Sequence, residues 1–366
     1  MITKIISRSI IPYFLDFFKC STTIQAMKAL ILAGGFATRL WPLCENRAKP
    51  LLLLDGKTIL AHILEKIPTE MEAILLTNSK FFADFEKELK KLGRTNVEIF
   101  CEDAYSDGQK LGALGALSAV SREKNINETI LVLAGDNILP GLKIEQFFCA
   151  DGEAKIVARE VSSLHEARKF GVLKIENGRV INFAEKPAKP TSKIVSTGFM
   201  AIGKDLLPIL HNFAKKSPDA LGGIFPELLK RKKKVLAEVV ASDWFDIGSF
   251  ETYLDAHQKL QKKDLLKNPP KSPFLKGDFH GKSREISKSP HLSSKKEGAN
   301  GNKFLGKVFI GANCVIEDCK LHNVIIYPNT TLKNCHISQS VIDENCHLEG
   351  LDLNRKLIRA GTKQVF

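Results

Sequence analysis

At 366 residues, with 44% hydrophobic and 26% charged side chains, the chain is too long for one compact core and suits a large globular domain plus a smaller one. Its formal net charge of +13 would point to a nucleic-acid or membrane surface if it were spread over a fold. It is not spread: residues 261–303 hold eleven Lys/Arg against four Asp/Glu, so no nucleic-acid partner is expected.

Residues 1–26 contain an apolar stretch broken by Arg8, Pro12 and Asp16. It is too poor for a membrane span and lacks the clean apolar core of a signal peptide, so it is read as a dispensable extension before Met27. From Met27 to about Leu260, apolar runs alternate with amphipathic stretches: KALILAG, TILAHILEKI, EAILLTN, FFADFEKELKKL, VEIF, GALGALSAVSRE and TILVLAGD. This rhythm predicts βαβ units around a mostly parallel sheet, whose ligands sit beyond the carboxyl ends of the strands. Residues 155–202 carry hairpin signals, chiefly Asn177-Gly178 between alternating strands. Two helical segments, a strand VLAEVV and an amphipathic helix in WFDIGSFETYLDAHQKL then close the domain.

Lys, Ser, Pro and Gly dominate residues 261–303, which predicts a disordered cationic linker. From 304 to 366 the sequence repeats every 16 residues, aligning Ile310, Ile326 and Ile342, then Asn313, Asn329 and Asn345, and also Cys319 with Cys335. Inward aliphatics with Asn at the turns predict a β-solenoid of about three coils, with exposed ends that are candidates for homo-oligomer contacts. The eight cysteines form no CxxC pair and are read as small apolar core residues in a reducing cytoplasm.

The stretch LILAGGFATRLWPLCENRAKPL, residues 30–51, is the most informative. A strand that breaks into Gly34-Gly35 leaves backbone N–H groups to face an anion, and Arg39 and Lys49 add the charge a triphosphate needs. It fits neither G-x-x-x-x-G-K-[ST] nor G-x-G-x-x-G. Two carboxylates lie just past apolar strands, Asp136 in LVLAGDN and Asp246 in WFDIG. A cation beside an acceptor in Glu185-Lys186-Pro187 would suit a phosphate and a hydroxyl.

These motifs, in this order, resemble the sugar-1-phosphate nucleotidyltransferases, whose signature is written L-A-G-G-x-G-T-R-L-x-P-L followed by P-K-P-L. The resemblance covers about residues 27–260 and implies a Rossmann-like three-layer α/β domain; the repeat resembles the left-handed β-helix of hexapeptide proteins. It implies an Mg²⁺-dependent transfer from an NTP to a sugar 1-phosphate, with Arg39 and Lys49 on the triphosphate and Asp136 and Asp246 holding Mg²⁺. For the nucleotide it implies Leu32, Ala33, Gly34, Gly35 and Gly112, with Glu102 or Gln109 at the base edge. For the sugar phosphate it implies Gly171, Glu185, Lys186, Ser196 and Gly198. The chain departs from the signature at Ala37, Ala48 and Ser196; if position 37 needs positive φ, alanine costs about 1 kcal/mol there. Thymidylyl or uridylyl transfer onto glucose 1-phosphate is the leading expectation. The alternatives are guanylyl transfer onto mannose 1-phosphate, or a non-catalytic sugar-nucleotide scaffold. His322, His336 and His347 are expected to be surface residues of the solenoid rather than acyltransferase bases.

Overall fold

Burial on both faces explains why Met27–Leu32 (β1) reads MKALIL with no polar alternation: Ala29, Leu30 and Ile31 are fully buried. The computed structural model describes residues 26–260, 291–293, 296–297 and 301–366, so the expectation for the N-terminal extension lies outside the described residues. Contacts divide the chain into two units, and the division does not follow the linear boundary. The first takes the chain up to Phe36, then Ala48–Leu51 and Ile59–Asp246; the second takes Ala37–Arg47, Leu52–Thr58 and Ile247–Phe366.

The first unit is built on β1, Ala73–Asn78 (β2), Val97–Glu102 (β3), Thr129–Ala134 (β4), Glu153–Glu160 (β5), Gly171–Glu176 (β6), Arg179–Glu185 (β7), Ile194–Ile202 (β8) and Lys234–Val240 (β9). They form one sheet in the order β3-β2-β1-β4-β8-β5-β9-β7-β6, with β8 also pairing β6. The first four are parallel, as the strand–helix alternation predicts. Beyond β4 the sheet is mixed: β8 runs antiparallel to β4 and β5, while β5 and β9 are parallel. The β6–β7 hairpin turns at Asn177 and Gly178, both at positive φ (49° and 74°), the conformation a two-residue turn requires.

Helices Ile59–Leu64 (α1), Phe82–Leu92 (α2), Ala113–Glu123 (α3), Leu207–Ala214 (α4) and Ile224–Lys230 (α5) complete the unit. Leu114, Leu117 and Val120 of α3, Leu210 of α4 and Phe225 of α5 bury against Leu30, Ile74 and Val132 of the sheet. The strand order reverses between β1 and β4. The carboxyl ends of the strands around such a switch point are the usual ligand crevice of an open α/β sheet.

In the second unit, Lys303–Ile310, Lys320–Ile326, His336–Ser338 with Val341–Ile342, and Asp352–Asn354 with Leu357–Ile358 stack in parallel register. Ile310 lies opposite Ile326 and Ile326 opposite Ile342, which is the period of 16 in space. The facing sheet pairs Ile316 with Leu332 and Leu332 with Leu348. Asn313, Asn329 and Asn345 take left-handed φ of 57–59° and link their amides in a ladder, at 3.2 and 3.3 Å. Pairing continues through Lys363–Val365, giving four coils rather than the three expected, because polar substitutions such as Gln364 opposite Leu348 hide the last repeat.

Two further expectations change. Of residues 261–303, expected to be disordered, 261–290 lie outside the described residues, while His291–Ser293 and Lys296–Glu297 are strands paired antiparallel with Lys303–Ile310, and Lys303 already belongs to the solenoid. The helix Phe250–Leu260 (α6), expected to close the catalytic domain, groups with the second unit. Of the three histidines expected at the solenoid surface, His322 and His336 are exposed and His347 is half-buried.

Candidate active site

At the crevice, Ala33 N–H continues the sheet to Leu76 O at 2.8 Å, and Asn78 Nδ2 donates to Gly34 O at 2.9 Å. These bonds hold the start of the glycine turn against the ends of β2 and β3. A Cβ on Gly34 would stand 2.9 Å from Glu102 Oε1, so glycine is what lets the turn approach that carboxylate. A cavity of about 270 Å³ opens there, lined by Leu32, Gly34, Gly35, Phe100, Glu102, Lys110, Gly112 and Asp219 among others. Five of the residues expected at the nucleotide therefore meet in one place. Ala33 does not line it, since its N–H is committed to the sheet.

Glu102 ends β3 and is buried, with Oε2 accepting from Leu111 N–H at 2.8 Å. Burial raises its pKa above the ordinary carboxylate value, against the opposing pull of the Leu111 N–H and the Lys110 charge. Gln109 turns into its own loop, its Oε1 accepting from Tyr105 N–H and Ser106 Oγ, so of the two only Glu102 lines the cavity. Asp219 reaches the cavity because Pro218 O accepts from Leu114 and Gly115 N–H (2.8 and 3.0 Å) at the start of α3. In the sequence, Ser217-Pro218-Asp219 reads as a plain turn and carries no signal of this.

Asp136 follows β4. Its Oδ2 accepts from Lys49 Nζ at 2.8 Å and its Oδ1 from Asn137 Nδ2 at 2.9 Å. Trp244 Nε1 donates to Asn137 Oδ1 at 2.7 Å, and Phe170 meets the Trp244 ring edge-on with centroids 4.8 Å apart. Asn137 and Trp244 were legible only as neighbours of the two aspartates. The short strands Asn137–Ile138 and Phe245–Asp246 pair antiparallel with Asp246 opposite Asn137. Residues 110 positions apart in the chain thus bring two carboxylates to the end of β4.

That donor set suits Mg²⁺, which takes one or two carboxylates and completes its shell with phosphate oxygens and water. Among the described residues there is no group of three or more His, Cys, Asp or Glu side chains arranged to hold a metal. Asp136 and Asp246 are the carboxylates whose chemistry would suit an ion shared with a substrate's phosphates.

Among the residues expected at the sugar phosphate, Gly171 lies opposite Glu185 in the β6–β7 pair, and Val172 of β6 lies opposite Val195 of β8. Lys186 takes φ 43° and donates its N–H to Phe170 O at 3.0 Å, with Nζ 3.9 Å from Glu185 Oε1. The β8 strand shifts register between Ser196 and Phe199, where Ser196 Oγ accepts from Gly198 N–H at 3.3 Å. Gly198 has φ 80°, and a Cβ there would press to 2.9 Å from Ala134 Cβ. It brings β8 against the end of β4, two residues before Asp136. Arg39 lies on the 3₁₀ turn Thr38–Leu40 of the second unit, preceded by Ala37 in the left-handed region (φ 49°, ψ 41°).

A parallel half-sheet with a glycine turn, and an aspartate at the end of β4 beside a second one on the neighbouring short strand, has the architecture of a nucleotide-handling α/β protein. The Nucleotidyl transferase family profile matches residues 28–263, and the chain belongs to that family. It is 27% identical to the small subunit of chloroplastic/amyloplastic glucose-1-phosphate adenylyltransferase of Triticum aestivum, over 90% of this chain and 74% of that protein. It is 30% identical to the catalytic subunit beta of mannose-1-phosphate guanylyltransferase of Drosophila melanogaster, over 62% of this chain and 61% of that one. It is 32% identical to the bifunctional protein GlmU of Methanococcus maripaludis, over 66% and 56%. The chain thus spans about three-quarters of the first relative and less than two thirds of the other two. A Bacillus anthracis chain assigned as a glucose-1-phosphate thymidylyltransferase superposes with a TM-score of 0.55 at 23% identity, over 63% of this chain and 94% of that one, and shares the fold.

Proposed function

We propose that the protein transfers a nucleoside monophosphate from an NTP to a sugar 1-phosphate, releasing pyrophosphate, in a cytoplasmic, Mg²⁺-dependent reaction. The observation that carries this reading is Asp136 bonded to Lys49 at the end of β4, next to the strand pairing of Asn137 with Asp246. Lys49, with Arg39, neutralises the triphosphate. A sugar-phosphate oxygen attacks the α-phosphorus in line, and the bond to the bridging oxygen of the leaving pyrophosphate breaks. Catalysis is positional and electrostatic and uses no protein nucleophile. When bound by Asp136 and Asp246, Mg²⁺ supplies further charge for the phosphate oxygens. Lys186 holds the sugar phosphate and Glu185 a sugar hydroxyl.

Among bases, the cavity favours guanine over the thymine or uracil expected from the sequence. Guanine presents two adjacent donors, N1–H and the 2-amino group, which match the two oxygens of an ionised Glu102. Uracil and thymine offer one N–H flanked by two carbonyl oxygens, which a carboxylate repels. The test is pyrophosphate release with Mg²⁺ across ATP, CTP, GTP, UTP and dTTP, each with glucose, mannose, galactose and N-acetylglucosamine 1-phosphates. Turnover with GTP supports the whole reading, and turnover with UTP or dTTP alone sinks the guanine assignment while keeping the class. Folded protein that binds no NTP overturns both and returns the scaffold alternative.

A further inference from the structure

The signature loop 37–47 packs within the second unit, against side chains from near the other end of the chain. Arg47 Nη1 bonds Asp343 Oδ1 at 3.0 Å, its Nη2 bonds Glu344 Oε1 at 3.0 Å, and its guanidinium lies 4.8 Å from the centre of the Tyr327 ring. Two residues earlier, Glu45 takes a two-pronged bond from the Arg359 guanidinium, Nε to Oε2 at 2.6 Å and Nη2 to Oε1. Arg359 also lies 5.8 Å from the Trp41 ring centre.

Tyr327, Asp343 and Arg359 are spaced by 16, so they occupy one position in three successive coils; Tyr327 N–H bonds Ile342 O and Asp343 N–H bonds Ile358 O. A β-solenoid sets such residues one strand spacing apart, about 4.8 Å. The column therefore offers an aromatic face, an anion and a cation in order, and the loop answers with a cation at 47 and an anion at 45. The Ile310–Ile326–Ile342 column keeps one aliphatic and the Asn313–Asn329–Asn345 column one amide, whereas this column changes chemistry at every coil. Asp343 is buried, and its Oδ1 also accepts from Glu344 N–H at 2.8 Å, which fixes the carboxylate toward Arg47.

We propose that the solenoid is a positioning element for nucleotidyl transfer, its Tyr327–Asp343–Arg359 column clamping the loop that carries Arg39 and runs into Lys49. This rests on the transferase reading above. Arg47, Glu45 and Arg359 are positioning residues, and they set how often the loop stands in its competent shape rather than how tightly substrates bind.

The test uses full-length protein with Glu45→Arg, Arg359→Glu and the double reversal. Hydrogen exchange of the peptide spanning 37–47 should rise in each single variant and return in the double. With the productive NTP and sugar 1-phosphate, kcat should fall about tenfold in the singles and recover in the double, with KM held within about twofold, as a lost preorganisation requires. Unchanged exchange in 37–47, or a kcat loss that the double reversal does not repair, overturns the proposal. If the wild type turns over no substrate pair, the transferase reading fails, and the exchange data still decide whether the column clamps the loop.

Discussion

Ala37 holds a left-handed backbone at φ 49° and ψ 41°, where an L side chain is strained and glycine is not. Ala37→Gly should therefore raise stability by up to about 1 kcal/mol, read from urea unfolding of full-length protein, unless relief in the folded state is offset by a freer unfolded chain; a drop of more than that would show that the methyl group packs usefully. Glu102 makes a second residue-scale prediction. Burial lifts its pKa, so its protonated form contributes stability at low pH that is lost as pH rises through the raised folded value. Binding of guanine runs the other way, because the carboxylate must be ionised to accept two donors. KM for GTP should climb as pH falls, beginning above the ordinary carboxylate range. Glu102→Gln should abolish that climb and raise KM about tenfold or more, since an amide cannot accept from both donors. Asp136→Asn should cut kcat about 100-fold or more while leaving NTP binding measurable; a loss confined to binding would move Asp136 out of the transfer step.

At the scale of elements, the parallel strands β1 to β4 and the Asn177-Gly178 hairpin were legible because buried apolar runs and a two-residue turn leave local patterns. The mixed pairing of β8 with β4 and β5 was not legible, since β8 is buried enough to look alike in either direction. The same limit applies at the site. Gly34 and the two aspartates are marked by their motifs, whereas Glu102 was left open against Gln109, and Asp219 is delivered by the packing of one loop onto the first turn of α3. The solenoid shows the reverse case, where a one-dimensional repeat becomes contact register without loss: Asn313, Asn329 and Asn345 align in sequence and bond in space. Asn329→Ala removes both a residue suited to left-handed φ and the middle rung of the amide ladder. It should cost about 1–2 kcal/mol in the unfolding of the solenoid, and Asn329→Gly should recover the backbone part. Equal losses for both would show the side-chain ladder to be the larger effect.

For the whole molecule, the sequence motifs suggested a catalytic segment, a linker and an appended solenoid in linear order. Contacts instead group 37–47 and 52–58 with the C-terminal unit, and no local pattern announces this because the partners are far apart in the chain. Arg47 and Asp343 are separated by 296 residues, and Arg359 and Glu45 by 314. Among the described residues no helix is long and apolar enough to cross a membrane. The Glu45–Arg359 distance along the chain has a temporal meaning. Translation proceeds from the N-terminus at about 5–20 residues per second, and domains fold as they emerge. The glycine-rich signature is made among the first residues, yet the arginine that bonds its loop appears some 300 residues later. A ribosome-bound chain can assemble β1 to β4 long before that loop has its anchor. Competence should then arrive late and abruptly, on release of the last coil, so that an incompletely synthesised chain folds much of its sheet without hydrolysing or diverting nucleotide.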